Sequence, residues 1–81
     1  MTIKVKFFAL ARDLAGTGEV VVSFDAPTTT DHALAKIVSA YPGLATLRSK
    51  LAIAVNQTYV RQNHALNDGD ELALIPPVSG G

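Results

Sequence analysis

Ile3, Val5 and Phe7 alternate with Lys4, Lys6 and Phe8. This period-two pattern predicts a strand with one apolar face. It also sets Phe8 apart, because Phe8 falls on the lysine side and so points away from the core. LARDLAG (10–16) predicts a short helical turn ended by Gly16, and Gly16-Thr17-Gly18 a loop. EVVVSF, Glu19 to Phe24, predicts a second strand, antiparallel to the first if a simple hairpin joins them. Pro27 and three threonines follow. Each hydroxyl is a potential N-cap, and Thr28 with Asp31 matches the loose capping-box spacing. Leu34, Ile37, Val38 and Tyr41 then recur at i, i+3, i+4 and i+7, one helical stripe of about three turns. Pro42-Gly43 ends it.

The second half reads as strands. LATLRSK (44–50) is compatible with a short helical turn. Leu51, Ile53 and Val55 alternate with alanines and Asn56, a third strand. Asn56-Gln57-Thr58 predicts a tight turn into a short strand, Tyr59 to Arg61, and Asp68-Gly69 predicts another turn. Glu71 to Ile75 is the last strand, and Pro76-Pro77 stops it. Leu72 and Leu74 share one of its faces; Glu71, Ala73 and Ile75 share the other. The order is β-β-α-β-β-β. The simplest packing is α+β, with one main helix across one face of a single mixed sheet of about five strands.

Composition narrows the function. The 81 residues fit one domain, and 48% hydrophobic content is ordinary for a globular protein. A net charge of +0 argues against a dedicated nucleic-acid or anionic-membrane binder. No stretch approaches the roughly 20 apolar residues of a membrane span, and MTIKVKFFALARDL reads as a strand, not a signal peptide. A cytoplasmic location is expected. The chain has no cysteine, which removes thiolate metal sites and cysteine nucleophiles. His32 and His64 lack a motif spacing and read as surface or cap residues, so no metal site is expected. Lys36, Arg48 and Lys50 read as solubilising charges.

Two features depart from a plain core pattern. Phe8 and Ile75 sit on nominally outer strand faces, and Tyr59 stands beside a turn. Large apolar groups on an outer face are candidates for a partner patch. Arg12 and Asp13 read as a solvated turn, although Arg12 could reach an acidic partner as a polar interface residue. The second feature is the ending, IPPVSGG. With glycine at about 7% of residues, two at fixed positions arise in roughly one chain in 200. Proline favours extended geometry, so residues 76–81 are expected to project as a flexible tail. A terminal glycine offers a carboxylate with no β-carbon to obstruct attack, on a tail thin enough to thread a narrow channel. An ATP-using partner could activate that carboxylate as an acyl-adenylate. A sulfur nucleophile displacing AMP would leave a thiocarboxylate. Nothing in the chain looks able to bind ATP, so no cofactor is expected on this chain alone.

These residues carry a resemblance that covers the whole chain. IKVKFFALARDLAG (3–16), AVNQTYV (54–60) and LNDGDELALIPPVSGG (66–81) resemble the MoaD family, the small, sulfur-carrying subunits of molybdopterin synthase, ubiquitin-like β-grasp proteins. The resemblance implies one β-grasp domain over residues 1–81. It implies adenylation of Gly81 by a MoeB-type enzyme similar to ubiquitin-activating enzymes, and conversion to a thiocarboxylate by a sulfurtransferase system. The loaded tail, Pro76, Pro77, Val78, Ser79 and Gly80 leading to Gly81, would enter the large synthase subunit, MoaE. There it would give sulfur to cyclic pyranopterin monophosphate to form the molybdopterin dithiolene, within a heterotetramer. Phe8, Tyr59 and Ile75 match the family's partner-binding positions. Tyr59 and Ile75 stand where leucine and phenylalanine are expected, and Ser79 stands for a threonine. The rival readings are a thiamine-pathway sulfur carrier, a ubiquitin-like protein modifier and a β-grasp binding module without tail chemistry.

Overall fold

The computed structural model describes residues 1–25 and 27–77. The elements run β1 (Thr2–Phe7), α1 (Ala9–Ala15), β2 (Glu19–Ser23), β3 (Thr28–Thr29), α2 (Thr30–Ala40), β4 (Ala52–Val55), β5 (Thr58–Val60), β6 (Ala65–Leu66) and β7 (Glu71–Ile75). Two 3-10 turns, Pro42–Thr46 and Arg48–Lys50, join α2 to β4. Five strands form a mixed sheet in the order β2-β1-β7-β4-β5. β1 and β7 are parallel neighbours, and the other pairs are antiparallel.

The alternation in β1 places Ile3, Val5 and Phe7 inside, none more than 2% exposed. Leu72 and Leu74 of β7 are fully buried beside them, because Val5 pairs with Leu72 and Phe7 with Leu74. The α2 stripe closes the core with Leu34 and Ile37, and Leu44 seals it from the first 3-10 turn. Phe7 meets Tyr41 edge to face at 5.5 Å between ring centroids. Each such side chain contributes about 1.5–3 kcal/mol on full burial.

Several local details differ from the sequence expectation. β5 spans Thr58–Val60, one residue earlier, because Asn56 and Gln57 alone make the turn, with φ of 51° and 70°. Two consecutive positive φ values suit a two-residue hairpin whose twist matches its strands. The sheet is not the only one: Thr28 and Thr29 pair with Leu66 and Ala65 in a separate two-stranded sheet. That pairing fixes the helix start. Thr29, not Thr28, caps α2 by accepting from the His32 backbone N–H at 3.4 Å. Asn63 Oδ1 accepts from the Asp31 N–H at 2.9 Å, a second cap brought by the β5–β6 connection. LARDLAG forms a full two-turn helix, α1, with Gly16 left-handed at its C-cap.

Candidate partner interface

β1 does not end cleanly at Phe7. Phe8 keeps an extended backbone (φ −116°, ψ 151°), and its N–H donates to the Leu74 carbonyl at 3.2 Å. The parallel pairing with β7 therefore runs one residue further, and alternation turns the Phe8 ring outward. Ala9, at φ 49°, then breaks the strand and starts α1. Phe8 is 44% exposed, on the face opposite the core.

The register across the outer face aligns four residues in one row. Lys6 pairs with Ala73, Ala73 with Ala54, and Ala54 with Tyr59. Two alanines in the middle of that row make a low floor. They are only 7% and 4% exposed, because larger neighbours stand around them. Phe8, Tyr59 and Ile75 rise as apolar walls around an open groove of about 300 Å³. Lys6 and Glu71, paired at 3.4 Å, and Gln57 make its polar side. An apolar floor with a polar rim is the anatomy of a protein-binding surface.

The three apolar residues singled out in the sequence thus line a single groove. Arg12 does not line it. It lies exposed on α1 against the loop after that helix, near enough to Gly18 that an added Cβ would sit 3.4 Å from its Nε. The chain leaves the sheet after Ile75, where β7 ends; Pro76 is buried and Pro77 exposed. Val78, Ser79, Gly80 and Gly81 lie outside the described residues. Sequence reasoning missed Ala54 and Ala73, whose small size shapes the groove. Their signal was the matched alternation of the third and last predicted strands, which becomes legible only once those strands are known to be neighbours.

Among the described residues no three His, Cys, Asp or Glu side chains are placed to hold a metal, and no helix is long and apolar enough to cross a membrane. Asp68 carries a carboxyl held below its ordinary value, chiefly by the Thr2 backbone N–H, which donates to Oδ1 at 2.7 Å. It ties the turn before β7 to the start of β1, at the end of the sheet opposite Ile75.

A five-stranded mixed sheet with a helix across one face and an apolar groove on the other defines an α+β, ubiquitin-like β-grasp protein. The chain belongs to the ThiS family, whose model matches residues 5–81. It is 43% identical over 83 residues to the molybdopterin synthase sulfur carrier subunit of Chlamydomonas reinhardtii, covering all of both chains. It is 48% identical over 82 residues to the protein of the same name from Escherichia coli K12, covering 98% of this chain and 99% of that one. Among solved structures it superposes on SAMP1 from Haloferax volcanii with a TM-score of 0.89 at 32% identity, all of both chains covered. A complex of subunits 1 and 2 of the molybdopterin-converting factor from Helicobacter pylori contains a chain matched at TM-score 0.72 and 28% identity, again over both full lengths.

Proposed function

We propose that this protein is the sulfur carrier subunit of a molybdopterin synthase, acting in the cytoplasm. The observation that carries this reading is its likeness, over nearly the whole of both chains, to proteins bearing that name, at 43% and 48% identity. The groove supports it. Phe8, Tyr59 and Ile75 form one apolar surface beside the point where the tail leaves the sheet. A partner seated there is placed to receive the tail.

In this reading the Gly81 carboxylate attacks the α-phosphate of ATP on a MoeB-type activating enzyme, and pyrophosphate leaves. A sulfurtransferase system delivers sulfur to the acyl carbon, AMP departs, and Gly81 holds a thiocarboxylate. The groove then docks the large subunit, MoaE, in a heterotetramer, and the tail threads into that subunit's active site. Sulfur passes to cyclic pyranopterin monophosphate, water hydrolyses the resulting thioester and returns Gly81 to a carboxylate, and two loaded chains supply the two dithiolene sulfurs. This chain supplies the sulfur and the docking surface; catalysis belongs to the complex. Arg12, outside the groove on α1, would serve as a polar contact to an acidic partner. Reconstitution tests the proposal: loaded chain plus large subunit converts cyclic pyranopterin monophosphate to the dithiolene. Conversion that proceeds equally well without this chain contradicts it.

The likeness to SAMP1, a small archaeal modifier protein, favours a second reading: the same activated Gly81 passed to a lysine amine of another protein. Both readings share the adenylate and part at the acceptor.

A further inference from the structure

Charge is spread unevenly along this neutral chain. All seven Asp and Glu residues lie within positions 13–31 and 68–71. Residues 32–67 carry Lys36, Arg48, Lys50 and Arg61 with no carboxylate side chain. The topology gathers three of these cations at one end of the sheet. Arg48 and Lys50 occupy the 3-10 turn leading into β4, whose first residue, Ala52, lies opposite Ile75. Arg61 follows Val60, which lies opposite Ile53 on the other side of β4. This is the end where the chain leaves β7 through Pro76 and Pro77. Asp68, Asp70 and Glu71 sit at the other end of β7. All three cations are exposed, and none forms a salt bridge among the described residues.

Charges that serve only solubility gain nothing from sharing one end of a sheet, and like charges repel where they come within a Debye length of about 8–10 Å. An anionic partner relieves that repulsion. Resting on the docking role proposed above, we propose that Arg48, Lys50 and Arg61 form a cationic collar at the tail exit. The collar meets acidic side chains of the large subunit around the mouth of the channel that the tail enters. Its contact is with the mouth and not with the reacting centre: Gly81 lies four positions beyond Pro77, at most about 14 Å of chain. The collar borders the groove: Arg61 lies two residues after Tyr59, and Ala52, two residues after Lys50, pairs with Ile75. Rim charges of this kind speed and orient encounter more than they hold the complex.

The test is surface plasmon resonance of the whole chain on immobilised large subunit, in low and high salt. The triple variant Arg48→Gln, Lys50→Gln, Arg61→Gln should associate about tenfold more slowly in low salt. The difference should shrink in high salt, with dissociation and melting temperature close to the parent's. Lys4→Gln with Lys36→Gln removes charge elsewhere and should slow association by no more than about twofold. A triple variant that associates like the parent, or a control pair that slows association equally, overturns the collar. Phe8→Glu separates the two claims. If it abolishes the complex while the triple variant is unchanged, only the collar fails. If it leaves the complex intact, the docking role itself fails.

Discussion

The Phe8 backbone N–H donates to the Leu74 carbonyl at 3.2 Å, one step beyond the end of β1. This bond holds Phe8 extended, so that adjacent phenylalanines face opposite ways. Phe7 is 2% exposed in the core and Phe8 is 44% exposed over the groove. The two rings should therefore fail differently. Phe7→Ala should cost about 3–5 kcal/mol in urea unfolding. Phe8→Asp should change stability by about 1 kcal/mol or less and weaken large-subunit binding by about 100-fold. Equal destabilisation by both would show that Phe8 is a core residue.

Ala73 tests the groove's floor. Leucine there projects to the solvent side and fills the space that a partner would enter. Ala73→Leu should still fold, losing about 1–3 kcal/mol from crowding its neighbours, and bind the large subunit at least about tenfold more weakly in calorimetry. Undiminished binding would place the interface elsewhere.

At the start of α2 two neighbouring threonines should respond in opposite senses. Thr29 caps the helix, and Thr29→Ala should cost about 1 kcal/mol. The buried Thr28 hydroxyl has no hydrogen-bond partner among the described residues. Thr28→Val should be neutral or stabilising, since a buried hydroxyl without a partner is itself a cost. Chemical denaturation of both variants decides the matter, and a larger loss at Thr28 would reverse the assignment.

Much of this was legible in the sequence because burial is one-sided. Where a strand buries one face, as in Ile3-Val5-Phe7 and Leu72-Leu74, period two writes that face into the chain. The α2 stripe does the same at period 3.6. α1 was less visible. Its Leu10 and Leu14 are 48% and 38% exposed and only Ala11 is fully buried, so no apolar stripe marks its inner side. β3 and β6 span two residues each, too short for any periodicity. The Asn63 cap of α2 depends on a contact across 32 residues. Two of the groove's walls, Phe8 and Ile75, stood out as large apolar residues in the wrong phase, while Tyr59 showed only as an aromatic beside a turn. Its alanine floor needed the β7–β4 register, which no local pattern encodes.

Asp68 gives the fold an acid-sensitive tie. The Thr2 backbone N–H favours its carboxylate, so its folded value lies below the ordinary one. Its stabilisation is complete above the ordinary Asp value and fades as pH falls through the lowered one. Asp68→Asn should therefore flatten the loss of stability below about pH 4, seen as urea midpoints across an acid series. An unchanged acid limb would mean the tie contributes nothing to folding.

The central claim is that Gly81 carries sulfur. Intact-mass and fragment mass spectrometry of the chain, incubated with its activating enzyme, ATP and a sulfur donor, tests it directly. The expected result is an oxygen-to-sulfur exchange located at the Gly81 carboxyl, dependent on ATP and abolished by one extra residue after Gly81. No exchange under those conditions, or equal exchange in the extended chain, would contradict it.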